Sequence, residues 1–247
     1  MSVPQPARPE PPALPGRPRV AVVIPTLNEA EPIAAVIAAI PRAAVDEIII
    51  VDSGSSDQTV ERARAAGARV LIEEQRGYGR ACATGARAAH DCSIIVFMDG
   101  DGSDRPELVP LLLAPILSGT HDFVIGTRTR GEREPGSMNA LQIAAGYGAG
   151  ALMRWRYGVA YTDMCAFRAI RRDALEGLGM REMTYGWNLE MQMRAAHARL
   201  RILELPVAHR CRLGGSSKIA GTFSGTLKAA LRIGLTFARV ASEREKS

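Results

Sequence analysis

Aromatic side chains are scarce in this chain of 247 residues, with five Phe, five Tyr and two Trp. The core must therefore rest on Ala, Val, Ile and Leu, and stacking platforms for single-stranded nucleic acid are missing. Cysteine is rarer still. Cys82, Cys92, Cys165 and Cys211 stand far apart with no C-x-x-C pair, which argues against a zinc site or a disulfide framework and for a reducing, cytoplasmic setting. A membrane-spanning run is also lacking. The longest uncharged stretch, Pro135 to Met153, carries Ser137, Asn139, Gln142 and four glycines, so it does not read as a transmembrane helix. The N-terminus has no apolar signal-peptide core. Charge of one sign is not concentrated: 31 Lys and Arg face 26 Asp and Glu, a formal +5. That excess suits a phosphate-bearing ligand or an anionic membrane surface, but taken alone it is better read as a basic solvated surface. Nucleic acid is not an expected partner.

What is present is an alternation. Residues 1–18 hold seven prolines and read as a disordered leader. After them, short β-branched runs at Arg19–Ile24, Glu47–Val51, Arg69–Ile72, Ser93–Met98 and His121–Ile125 alternate with helical patterns. The helices are expected at Ala30–Ile40, Asp57–Ala66 with Asp57 as N-cap, Gly79–Ala89 and Pro106–Leu117. Unbroken Val/Ile strands between helices predict an α/β fold, a mostly parallel sheet covered on both faces. Beyond residue 130 the alternation stops. Helices are expected at Asn139–Met153, Arg171–Leu178 and Asn188–Ala198, a strand at Arg201–Val207, irregular or extended chain at Val159–Ile170, and a last helix at Lys218–Val240. The expected organisation is one domain over 19–218, followed by an amphipathic helix and charged tail over 219–247.

Ligands of such sheets bind beyond the carboxyl ends of the strands, and the polar clusters sit there. Pro25-Thr26-Leu27-Asn28-Glu29 follows the first strand, Asp52-Ser53-Gly54-Ser55-Ser56-Asp57 the second, Asp99-Gly100-Asp101-Gly102 the fourth, and Gly126-Thr127-Arg128 the next. Two carboxylates one residue apart after a buried strand form a hard oxygen site of the kind that Mg²⁺ or Mn²⁺ prefers. Gly100 lets the backbone approach a ligand. Asp and Gly also make ordinary polar turns; the flanking Ile94–Met98 strand and the helix start at Arg105–Leu108 favour the metal reading. Asn28-Glu29 can cap a helix as well as line a ligand. Gln75–Arg80 reads as a simple loop that could close over a diphosphate.

With these motifs the chain resembles the family 2 glycosyltransferases of the GT-A fold, and within them the dolichyl- and polyprenyl-phosphate mannosyl- and glucosyltransferase group. The likeness runs from Val23–Glu29, Ile49–Thr59 and Phe97–Asp101 through Gly126–Arg128 and Thr162–Arg168 to Leu213–Lys218. It implies a Rossmann-like domain and an inverting hexose transfer from a UDP- or GDP-sugar. Pro25, Thr26, Asn28, Glu29, Asp52, Ser53, Gly54, Asp99 and Gly100 would bind the donor, with Arg212 and Lys218. Asp99 and Asp101 would hold the metal, and Ser103, Asp104 or water would take the third ligand position. Arg128 and Arg168 would face phosphate, as guanidinium forks can; a surface ion pair explains each equally well. The acceptor would be a polyprenyl phosphate or a hydroxyl compound. A phosphate acceptor needs no base, whereas a hydroxyl acceptor would need one, with Asp163 and Glu190 as candidates. His90, His121, His197 and His209 are expected to be structural.

The last helix carries an apolar stripe, Ile219, Phe223, Leu227, Leu231, Leu235 and Ala238, with Lys228, Arg232 and Arg239 beside it. That pattern fits peripheral contact with the cytoplasmic face of a membrane through 219–240, and it fits equally a helix packed on its own domain or on a second subunit. Two other classes compete: a nucleotidyltransferase, which would carry a Gly-rich basic loop where Pro25–Glu29 stands, and a non-catalytic nucleotide-sugar binder.

Overall fold

The computed structural model of the chain describes residues 16–214 and 234–243. Most of the expected leader, Lys218, and most of the final apolar stripe lie outside these residues. Seven strands form one sheet: β1 Val20–Thr26, β2 Glu47–Asp52, β3 Arg69–Ile72, β4 Ile94–Phe97, β5 Phe123–Thr127, β6 Arg168–Arg171 and β7 Ile202–Pro206. Their order is β3-β2-β1-β4-β6-β5-β7. β1 pairs in parallel with β2 and β4, β2 with β3, and β5 with β7. The sheet is thus mixed and mostly parallel, as the strand pattern predicts. The exception is β6, antiparallel between β4 and β5, from a segment whose irregular lead-in hid the strand. β1, β2 and β4 are buried on both faces, which explains their unbroken Val/Ile sequences.

Seven helices are numbered in chain order: α1 Ile33–Ala39, α2 Thr59–Ala65, α3 Tyr78–Ala88, α4 Val109–Leu117, α5 Ala140–Tyr157, α6 Arg172–Gly177 and α7 Trp187–His197. Residues 234–243 are also helical. α1 is shorter than expected because Pro32 forms its N-cap and Ile40, next to Pro41, is extended. Asp57 lies two residues before α2. Its carboxylate still takes the Thr59 amide and hydroxyl and the Ala30 amide, so it ties α2 to the loop after β1. α3 lies on β1 and β2. At Gly85 a Cβ would come within 2.3 Å of Val23 Cγ1, so only glycine permits that approach. The core beneath is almost wholly aliphatic, with Phe97, Phe123, Phe167 and Trp187 as its main rings.

Candidate active site

Three loops leave the carboxyl edge of β1, β2 and β4 side by side. The loop after β2 is built by Asp52. Its Oδ2 accepts from the amides of Gly54 (3.0 Å) and Ser55 (2.8 Å), and its Oδ1 from the hydroxyls of Ser55 and Thr26. Both oxygens of this buried carboxylate are spent on loop shape, and Gly54 takes the positive φ (84°) that the turn needs. Asn28, at φ 52°, receives the Ser56 amide on Oδ1 and donates its own amide to Ser55 Oγ, both at 2.8 Å. Asn28 and Asp52 therefore shape and join two loops, and the surfaces turned to the cavity are Pro25, Thr26, Leu27, Glu29 and Ser53.

The loop after β4 carries the acidic cluster. Gly100 sits against β1, where a Cβ would meet Thr26 Cγ2 at 3.0 Å. Asp101 Oδ1 accepts from the Ser103 amide (2.9 Å) and hydroxyl (2.6 Å). Its Oδ2 pairs with Arg212 Nη1 at 3.0 Å, while Arg212 Nη2 reaches Glu29 Oε1 at 2.9 Å. Asp104 Oδ2 accepts the Asp99 amide at 3.0 Å. Burial, and then the charges of Asp104 and Asp101, push the Asp99 carboxyl far above its ordinary range. Burial likewise raises Asp104, with Asp101 adding to it. Carboxylates that oppose one another's ionisation in this way form a donor set that favours a hard dication. Among the described residues no group of three or more His, Cys, Asp and Glu is set to hold a metal. Ser103 and Asp104, the expected third ligands, are instead engaged in holding Asp101 and Asp99. A dication here would take one or two carboxylates from the protein, with phosphate and water completing its sphere.

Two cavities meet at this loop. One of about 320 Å³ is lined by the β1 and β2 loops, Arg76, Gly77 and Tyr78. The other, of about 600 Å³, is lined by Arg128, Ser137, Asn139, Gln142, Asn188, His209 and Arg210. Asp99, Asp101, Tyr78, Tyr185 and Arg212 border both. The strand of chain from His209 to Gly214 forms the seam. The Arg210 amide donates to Ser103 O and the Leu213 amide to Asp101 O, both at 3.1 Å. Arg210 Nε also reaches Gly102 O. Sequence reading missed Arg210 and assigned His209 to structure only. The basic run His209–Arg212 was the available signal. The His209 ring is held neutral, its pKa lowered to about 4 by burial and by Arg128.

The remaining assigned residues divide. Arg128 forks onto Asp163: its backbone amide and Nε donate to Oδ2 (2.9 and 2.8 Å) and its Nη2 to Oδ1 (2.8 Å). Burial alone would raise the Asp163 carboxyl, but Arg128 holds it below the usual range. Asp163 thus positions Arg128 at the larger cavity and is not poised to take a proton. Arg168 corrects the sequence reading. It is fully buried on β6, donating to the carbonyls of Asn188 and Cys165 over the Phe123 ring, so it braces the floor and faces no phosphate. Glu190 is a second correction. Its Oε2 takes the amides of Arg181 and Glu182, and its Oε1 takes Arg194 and Arg239. It is a buried tie to the helix at 234–243 and lines neither cavity, although Asn188 on the same helix lines the larger one.

Comparison with known proteins bears on this arrangement. The profile of glycosyl transferase family 2 matches residues 21–179. An uncharacterized glycosyltransferase of Mycobacterium tuberculosis is 36% identical over 214 residues, 86% of this chain and 94% of that one. A dolichyl-phosphate hexose transferase of Haloferax volcanii is 35% identical over 199 residues, 79% of this chain and 84% of its own. Among solved structures, glucosyl-3-phosphoglycerate synthase of M. tuberculosis bound to phosphoglyceric acid superposes with a TM-score of 0.73 at 25% identity, covering 91% of this chain and 80% of that one. Another crystal of that enzyme holds Mn²⁺, UDP-glucose and phosphoglyceric acid.

Proposed function

The chain belongs to glycosyl transferase family 2 and is a glycosyltransferase, and from that premise we propose that it moves a hexose from a UDP- or GDP-sugar to a polyprenyl phosphate, with Mg²⁺ or Mn²⁺ held at Asp99 and Asp101. The observation that carries this reading is the meeting of the two cavities at Asp99 and Asp101, one edged by the β1 and β2 loops and the other by Arg128, Arg210 and His209. A donor in the first cavity would bring its diphosphate to the acidic loop. An acceptor phosphate in the second would meet two guanidinium groups.

A dication at the aspartates would offset charge on the departing nucleoside diphosphate. The protein's own groups do the rest. Glu29, Ser53, Arg76 and Arg212 orient the donor. Arg128, locked by Asp163, fixes the acceptor phosphate, which is already an anion and attacks the anomeric carbon without a general base. The commitment of both Asp163 and Glu190 to ion pairs accords with that base-free chemistry and disfavours a hydroxyl acceptor. The resemblance of the motifs to polyprenyl-phosphate transferases, and the Haloferax relative that bears dolichyl phosphate in its name, support a lipid-borne phosphate. A small hydroxyl acceptor that also bears a phosphate, and so needs a base from elsewhere, is the second reading, favoured by the polar lining of the larger cavity and by the phosphoglyceric acid in the superposed enzyme.

A thermal-shift panel of UDP-, GDP-, dTDP- and CDP-sugars, with and without Mn²⁺, reads donor and metal together. One donor should stabilise the protein only when metal is present. Incubation of that labelled donor with polyprenyl phosphate in detergent, and separately with 3-phosphoglycerate, then separates the two acceptors. Stabilisation by no donor, or by donors without regard to metal, would sink the reading.

A further inference from the structure

α5 presents a physical contradiction. From Ala140 to Met153 it carries no charged residue. Its inner face is built to fit the domain: a Cβ at Gly150 would come within 1.8 Å of Tyr161 O, Gly146 lies against Thr162 O, and Met153 is buried. Its outer face is just as apolar. Ala144, Gly148, Ala151 and Trp155 fall on one line of the helix with Tyr147 and Leu152 on either side, and all six are exposed. Trp155 is 79% exposed, the highest value of any large hydrophobic side chain among the described residues. A helix that is apolar all round is ordinarily buried all round. A face of this kind is ordinarily covered by a partner.

Charge identifies what. Arg154 and Arg156 flank the stripe in the last turn. Arg154 is exposed, Arg156 lies 5.3 Å over the Tyr157 ring, and neither has an ion pair among the described residues; Arg130 and Arg133 just ahead of the helix are offset by the exposed Glu132 and Glu134. Tyr and Trp beside the two helix arginines, which have no carboxylate partner among the described residues, match the boundary between lipid headgroups and acyl chains, where ring bodies sit in the apolar layer and cations meet phosphate. A second copy would bring the same basic rim and no carboxylate on that helix. Place in the fold points the same way. α5 begins at the larger cavity, whose lining includes Asn139 and Gln142, the two partners of its capping box, and it runs on for about 27 Å.

We propose that the outer face of α5 docks on an anionic bilayer, lying in the headgroup plane and setting the larger cavity at the level of a lipid-borne phosphate. The proposal rests on the lipid-phosphate reading above for its purpose, but its surface is separately testable. It is distinct from contact through the C-terminal stripe, where Leu235 and Ala238 are exposed.

Flotation with vesicles of phosphatidylcholine alone, or with phosphatidylglycerol added, provides the test, using the full chain, Trp155→Glu, Trp155→Phe and an Arg154→Gln/Arg156→Gln double variant. The full chain should float with phosphatidylglycerol vesicles. Trp155→Glu should reduce partitioning at least about tenfold, the loss expected for one unburied aromatic, and Trp155→Phe should restore most of it. The double variant should lose the preference for anionic vesicles. Equal donor-induced thermal stabilisation of full chain and variants shows that the fold is intact. The proposal is overturned if the full chain does not float, or if Trp155→Glu floats like the full chain. It is also overturned if Trp155→Glu instead converts a dimer to a monomer in vesicle-free sedimentation, which would make the face a self-contact. Flotation without transfer to polyprenyl phosphate in detergent would remove the acceptor reading and leave the surface. Transfer without flotation would do the reverse.

Discussion

At Arg212 a single guanidinium spans two carboxylates, Glu29 on the β1 loop and Asp101 on the β4 loop. It therefore stands where the two cavities and the acidic loop touch. Charge-assisted hydrogen bonds of this kind are worth about 1.5–3 kcal/mol. Arg212→Gln is expected to raise the KM for nucleotide-sugar by about ten- to a hundredfold, read by steady-state kinetics; an unchanged KM would show that the residue does not meet the donor. Asp101→Asn should abolish metal-dependent donor stabilisation in the thermal-shift panel and transfer with it, and normal turnover would count against the metal role. Arg128→Gln acts differently. It leaves Asp163 buried and unpaired, a loss on the order of 3–5 kcal/mol, so melting temperature and transfer should fall together. Arg128→Gln/Asp163→Asn should recover the melting temperature and not the transfer, because only the first of those depends on the pair and the second on the guanidinium.

Among the elements, α7 links parts that the sequence keeps apart. Its N-terminal end packs Trp187 edge-on against Phe97 of β4. Through Glu190 and Arg194 it also holds the helix at 234–243 by Arg239 and Glu243. Thr236 adds a bond to Glu182. The described part of the last helix thus packs on its own domain by Thr236, Arg239 and Glu243 together with Phe237, Val240 and Ala241, and the apolar stripe residues Leu235 and Ala238 stay outside. Glu190→Gln should loosen that helix, lowering the melting temperature by several degrees, with amide exchange rising over 234–243 and donor binding little changed. Equal exchange in variant and parent would refute the tie. Periodicity found α7 within one residue at each end, because its apolar spacing is strong. The tie itself was illegible, since a Glu four residues before an Arg looks the same on any solvated helix face.

For the molecule as a whole, acid sensitivity follows from carboxylates held below their ordinary range. Arg201 lowers Asp122 to about 2, and Arg128 keeps Asp163 depressed against the pull of burial. A carboxylate depressed in the folded state stabilises the fold fully above its unfolded pKa of about 4, and that share is lost as pH falls through the folded value. Equilibrium unfolding should therefore change with pH between about 4 and 2, and Arg201→Gln should move the onset upward. An onset that the substitution leaves in place would mean that Asp122 is not the group responsible. The family and the sheet architecture were legible at this scale, because strands buried on both faces write themselves as Val/Ile runs and their ligand loops follow as Asp, Gly and Ser clusters. β6 was not, because a short reversed strand after an irregular segment has no period to detect.

The amino-acid sequence by itself determined the family, the position of each ligand loop at a strand's carboxyl end, and the pairing of Asp99 with Asp101 one residue apart. These are local properties, carried by neighbouring residues and by periods of two and of about 3.6. Only the tertiary structure decided which charged groups line the cavities. Arg168 and Glu190 read in sequence like Arg128 and Asp101, yet burial gives the first pair backbone and ionic partners inside the fold and leaves the second pair at the cavities. The same holds for α5, whose uncharged run could have been core on every side. Packing used the edge with Gly146, Gly150 and Met153, and the face with Trp155 was left to meet whatever lies outside.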